Sequence, residues 1–88
     1  KNHDFQPLVL KDVAHQIREG NTSIIGVMIE SFIESGNQPI PADHSQLIYG
    51  CSVTDACVNW ETTEKMLHEM HDLLQKPLAE RPRHTQDQ

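Results

Sequence analysis

Apolar residues early in the chain fall at Leu10, Val13, Ala14 and Ile17. That i, i+3, i+4, i+7 spacing lays one apolar stripe along a helix. Pro7 suits the first turn, where its missing N–H would have no partner anyway. Gly20-Asn21 predicts the stop, because glycine is free to take the left-handed conformation that ends many helices. The pattern then changes. Thr22-Ser23-Ile24-Ile25-Gly26-Val27-Met28-Ile29 is short, β-branched and apolar without alternation, which predicts a strand buried on both faces, as in a parallel sheet. Glu30 ends the run with a charge. From about 35 to 46 the chain carries Gly36, Asn37, Pro39 and Pro41 and predicts a loop, with short extended pieces near 47–49 able to pair locally. A second helix is predicted from about 59 to 75. Thr63, Met66, Leu67, Met70, Leu73 and Leu74 share its stripe, Glu61 and Glu64 complement its N-terminal dipole, and Pro77 is expected to close it.

Helix, strand, loop, helix is an α/β order with a defect. It holds one convincing strand, and that strand reads as central. Alone it would leave backbone N–H and C=O groups unpaired on both edges, at about 1–3 kcal/mol for each one buried. The arrangement predicts an αβα slice of a larger α/β protein, incomplete on its own. Residues 1–76 form the structured part of that slice and 77–88 a flexible tail.

Length and composition agree. A domain of 88 residues buries only about 60–65% of the surface its unfolded chain exposes. Hydrophobic residues are 36% of the chain, and Phe5, Phe32, Tyr49 and Trp60 are its aromatics, a lean supply for a self-sufficient core. No apolar run approaches the ~20 residues of a membrane span, and no secretory leader pattern is present. Cys51 and Cys57 match neither a CxxC pair nor a disulfide framework, so free thiols in a reducing cytoplasm are expected. The net charge is −6, but its distribution says more. Between Arg18 and Lys65 there is no Lys or Arg, while seven carboxylates fall in that stretch. Phosphate contact needs positive charge, so nucleic-acid binding by this segment is excluded.

Ligands of parallel α/β folds collect at the carboxyl ends of the strands. Glu30 stands at that end. Asp55 follows Ser52-Val53-Thr54 where the chain returns toward it. Together they are candidate ligands of a shared metal. Two structural alternatives stand beside this: a salt-bridged carboxylate at the strand end, and a helix-capping Asp55 in an S-x-x-D spacing with Ser52.

Linked motifs sharpen the picture. Gly26-Val27-Met28-Ile29-Glu30-Ser31, Glu34-x-Gly36-Asn37-Gln38, Tyr49-Gly50-x-Ser52-Val53-Thr54-Asp55-Ala56-Cys57 and Trp60-Glu61-Thr62-Thr63-Glu64 occur in one order. In this the chain resembles, from about 7 to 74, the C-terminal part of the type I (microbial) 3-deoxy-D-arabino-heptulosonate 7-phosphate (DAHP) synthases, which open the shikimate pathway. The resemblance implies a (β/α)8 TIM barrel in which the helices, the last barrel strand and the long loop are the slice seen here. It implies a divalent metal held by Cys, His, Glu and Asp, with Glu30 and Asp55 matching the last two. The matching His lies in a Ser-His stretch expected just before Lys1, and the Cys near the first strand. Cys57, two residues beyond the Asp, is not that ligand. Mn²⁺ or Fe²⁺ suits such a shell, with Co²⁺ or Zn²⁺ as alternatives. The implied reaction condenses phosphoenolpyruvate with erythrose 4-phosphate and water to give DAHP and phosphate. In it Asp55 is both metal ligand and a catalytic contact to the aldose.

The implied partners are the remainder of the barrel, in the same or a separate chain, and the two substrates, within a cytoplasmic homo-oligomer that touches neither nucleic acid nor membrane. Two phosphorylated substrates need Arg and Lys clamps, which the charge map assigns to the remainder, so this chain alone is expected to be inactive. The competing reading is a non-catalytic module that survives by oligomerising. Glu64, His68 and His71 have helical spacing but lack the His-Glu-x-x-His order of zincins and read as a solvated flank, as do His15 and His44.

Overall fold

The structure, a computed structural model, describes residues 2–81. Two helices carry its packing, α1 over Gln6–Arg18 and α2 over Trp60–Ala79. The stripes expected from the sequence are the faces that meet. Leu10 and Met66 close around Val58, with Ile29 and Met70 half-buried against them. Ala14, Ile17 and Leu74 form a second cluster, flanked by Val13, Ile24 and Leu73. Each large apolar side chain buried this way contributes roughly 1.5–3 kcal/mol. Leu67 departs from the expected stripe and remains 48% exposed.

Both helix starts and the end of α1 follow local chemistry. A short 3-10 turn, His3–Phe5, is capped by the Asn2 side chain and leads into α1, where Pro7 sits in the first turn. Gly20, at φ +111°, ends α1 with paired bonds: its N–H donates to Ile17 O (3.1 Å) and that of Asn21 to Gln16 O (3.0 Å). This is the Schellman pattern that satisfies the last carbonyls. At the start of α2, Asn59 Oδ1 accepts the Thr62 N–H at 2.8 Å. Asn59→Ala is therefore expected to destabilise the fold by about 1 kcal/mol. Urea unfolding should show a lower midpoint at unchanged slope, with Asn59→Asp restoring it.

Two expectations are corrected. Pro77 does not close α2, which continues to Ala79. A proline this late removes one hydrogen bond, and the following turn is still closed by Glu80 N–H on Lys76 O (3.0 Å). Just beyond, Arg81 Nη2 donates to Asn21 O at 2.7 Å, tying the end of α2 to the end of α1. Of the tail expected over 77–88, positions 82–88 lie outside the described residues.

The second correction concerns the strand over 22–29, and with it the β layer of the expected α/β slice. The described residues contain no strand, only three isolated bridges, Ser31 with Val58, Gly36 with Cys57 and Asn37 with Ser52. Positions 24–29 make no backbone hydrogen bonds among the described residues, and Ile25 and Met28 are 92% and 85% exposed. A strand is a ladder, and its pairing depends on neighbours distant in sequence. Composition marks this run for burial, but the described residues partly bury only Ile24 and Ile29 and leave Ile25 and Met28 open.

Between the run and α2, side-chain amides replace regular structure. Gln38 Nε2 donates to Ile48 O and Cys51 O, both at 2.9 Å, while its Oε1 accepts the Ile48 N–H at 2.9 Å. A second 3-10 turn, His44–Gln46, is capped by Asp43. Hydrogen bonds from the Ser45 hydroxyl and N–H hold the Asp43 carboxyl below its ordinary pKa.

Candidate functional site

Glu30 is half-buried, with its peptide held from both sides. Its N–H donates to Gln6 Oε1 at 2.8 Å, and its carbonyl accepts Gln6 Nε2 at 2.9 Å and the Val58 N–H at 3.0 Å. Two residues on, Phe32 N–H donates to Val58 O at 3.0 Å. The residue that turns out of the apolar run is therefore fixed to the first turn of α1 and to the segment entering α2.

Asp55 arrives by a different route. Ser52 is buried, and its Oγ accepts the Thr54 N–H at 3.1 Å. The Thr54 carbonyl in turn accepts Asn37 Nδ2 at 3.0 Å. Thr54 is held on both sides, and the exposed Asp55 projects from a peptide that the side chains of neighbouring loops define. The capping alternative is set aside by these bonds: Ser52 turns the local backbone, and Asn59 caps α2.

Glu30 and Asp55 line one open cavity of about 910 Å³ between α1 and the 26–30 run, with Gln6, Leu10 and Met66 in its wall. Neither Lys nor Arg lines it among the described residues, so the charge gap read from the sequence is also a gap in space. Carboxylate oxygens suit a divalent cation, and both residues line this one cavity. No group of three His, Cys, Asp or Glu converges as a metal site among the described residues. His3 also lines the cavity, where its Nε2 lies 3.2 Å from Asp4 Oδ1.

The remaining candidates fall elsewhere. Cys51 and Cys57 are free and half-buried, with Cys57 Sγ 3.5 Å from Asp55 O. His68 Nε2 lies 3.9 Å from Glu64 Oε2 on an exposed face of α2, and His71, His15 and His44 are exposed. No described helix is long and apolar enough to cross a membrane. Sequence reasoning missed Gln6. Asn37 and Gln38 stood in a quoted motif, but nothing in their spacing showed that their amides would anchor other segments.

Comparison with known proteins agrees with the order of motifs. The sequence model of the DAHP synthetase I family matches residues 1–68. The chain is 51% identical over 81 residues to a Tyr-sensitive phospho-2-dehydro-3-deoxyheptonate aldolase of Enterobacter agglomerans, covering 92% of this chain and 38% of that protein. It is 48% identical over 81 residues to the Tyr-sensitive aldolase of Escherichia coli, covering 92% of this chain and 23% of that one. The solved phospho-2-dehydro-3-deoxyheptonate aldolase of Francisella tularensis superposes with a TM-score of 0.76 at 44% identity, over 84% of this chain and 21% of that one. The chain thus spans well under half the length of these relatives. With its motifs in order and most of its length matched, the chain belongs to the DAHP synthetase I family.

Proposed function

We propose that these residues are the Glu- and Asp-bearing part of a metal-dependent DAHP synthase, within the C-terminal αβα slice of a (β/α)8 barrel. The observation that carries this reading is that Glu30 and Asp55 line one cavity, in a chain 44–51% identical over most of its length to the named aldolases. The 24–30 run then takes its place as a barrel strand once neighbours supply both edges, and residues 1–76 belong to the barrel domain. Neighbouring strands, from the same or a separate chain, would cover Ile25 and Met28 and contribute cationic side chains, none of which lines the cavity among the described residues.

The reaction joins C3 of phosphoenolpyruvate to the aldehyde carbon of erythrose 4-phosphate, adds water at C2 and expels phosphate. Glu30 and Asp55 would hold the divalent cation. Mn²⁺ or Fe²⁺ suits the mixed donor set, with Co²⁺ or Zn²⁺ as alternatives. Bound there, the cation supplies Lewis acidity toward the aldehyde oxygen. Glu30, tied through its peptide, would set one side of the shell. Asp55, on the more open side, would both add a ligand to the shell and contact the aldose. A cytoplasmic homo-oligomer is part of the same proposal.

A full-length protein carrying this segment is expected to release phosphate from phosphoenolpyruvate only when erythrose 4-phosphate and a divalent cation are both present. Chelation should abolish the release and Mn²⁺ restore it. Release that ignores erythrose 4-phosphate would overturn the assignment, and release that survives chelation would remove the metal from it. A self-associating, non-catalytic module would use the same open run to bury itself against copies, but it leaves the paired carboxylates without a use.

A further inference from the structure

We infer that Gln6 is a positioning residue for the metal site, acting through the backbone of Glu30; the inference rests on the assignment of Glu30 as a metal ligand. Along 24–30 the apolar residues make no backbone hydrogen bonds among the described residues, whereas the Glu30 peptide does so on both its N–H and its C=O. Gln6 supplies one bond to each, at 2.8 and 2.9 Å, across 24 positions of sequence. A primary amide offers the donor and the acceptor of a peptide unit, so the side chain does for Glu30 what a neighbouring strand would do.

Gln6 is itself well held. It is the first residue of α1, its own N–H donates to His3 O, and Pro7 follows it. The side chain is half-buried in the cavity wall, with both amide atoms already engaged. It is therefore a support for the ligand and not a contact for substrate. The Asp55 side of the cavity repeats the device: Asn37 Nδ2 holds the Thr54 carbonyl, part of the peptide that enters Asp55. Each candidate ligand is thus aimed by a side-chain amide from another segment. Partners that hydrogen-bond a ligating side chain directly typically change affinity about 10- to 100-fold when removed, and that range is the upper bound expected for a support acting through the backbone.

The probe is Mn²⁺ itself, measured by equilibrium dialysis against the metal-free full-length protein, with the thermal midpoint of the same metal-free protein recorded in parallel. Gln6→Leu removes both bonds at similar volume and is expected to raise the Mn²⁺ Kd more than about twofold, up to about 10- to 100-fold. Gln6→Asn keeps a neutral amide one methylene short of the Glu30 peptide, so its Kd is expected to fall between parent and Gln6→Leu. It also decides the matter if Gln6→Leu fails to fold. Glu30→Gln is the reference. If Glu30→Gln weakens Mn²⁺ binding while the folded Gln6 variants stay within about twofold of the parent, the positioning role is overturned, even if their thermal midpoints drop. If Glu30→Gln itself leaves the Kd unchanged, the ligand assignment fails first and the role of Gln6 falls with it.

Discussion

Glu30→Ala and Asp55→Ala, each in a full-length protein carrying this segment, are expected to lower DAHP formation about a thousandfold or more. Lewis-acid stabilisation of a reacting carbonyl is worth several kcal/mol, and each 1.36 kcal/mol is a factor of ten in rate. On the proposed assignment, either substitution removes one of the two carboxylates that line the cavity. The loss should appear as weaker Mn²⁺ binding in dialysis as well as slower turnover, and saturating Mn²⁺ should restore only part of the rate. The two variants should also differ. Asp55 is exposed on its loop, so Asp55→Ala is expected to leave the urea midpoint close to the parent. Glu30 is half-buried, so its replacement should cost some side-chain packing while its backbone bonds to Gln6 and Val58 remain. Glu64→Ala, on the exposed face of α2, is the comparison and should keep the parental rate. Parental turnover in both site variants would sink the assignment.

The second large effect concerns a glycine. Gly50→Ala is expected to destabilise the protein by about 2–4 kcal/mol, the sum of two separate causes. Gly50 has φ +79°, a left-handed conformation that an L side chain adopts at a penalty. In addition, an added Cβ would lie 2.8 Å from Ile33 Cβ and 3.2 Å from Ile33 Cγ2. Such an overlap is relieved only by moving backbone. Glu34 N–H donates to Gly50 O at 2.8 Å beside the contact, so the shift would part the segment leaving Glu30 from the segment approaching Asp55. Mn²⁺ affinity should fall together with the urea midpoint. Ile33→Gly in the same chain should recover the steric share and leave the conformational share, a coupling that a double-mutant cycle isolates. A Gly50→Ala protein within about 0.5 kcal/mol of the parent would contradict the contact.

What the sequence revealed and what it hid divide along a physical line. Helix patterns are local, so Leu10, Ala14 and Ile17 on one side, and Met66 and Leu74 on the other, were legible from spacing alone. The motifs on either side of the loop kept their order, and Glu30 and Asp55 line the same cavity. The misreadings involve competition between local signals. Ser52 and Asp55 have capping spacing, but Asn59 stands nearer the start of α2 and takes the role. Pro77 is a helix breaker by rule, yet the turn after it still closes. Long-range bonds were the hidden part. Gln6 reaches 24 positions to Glu30, Asn37 reaches 17 to Thr54 and Gln38 reaches 10 to Ile48. An amide side chain carries no mark of which distant peptide it will meet.

The open 24–29 run has a consequence for handling these residues as a separate piece. A short, uncharged, β-branched stretch that makes no backbone hydrogen bonds among the described residues is a template for copies of itself. Interior placement normally hides such a stretch, but during synthesis and refolding it stands exposed until its neighbours arrive. The feature that marks the run for burial therefore also makes it a segment prone to seed insoluble aggregates, and lysine in place of Ile25 or Met28 would act as a gatekeeper.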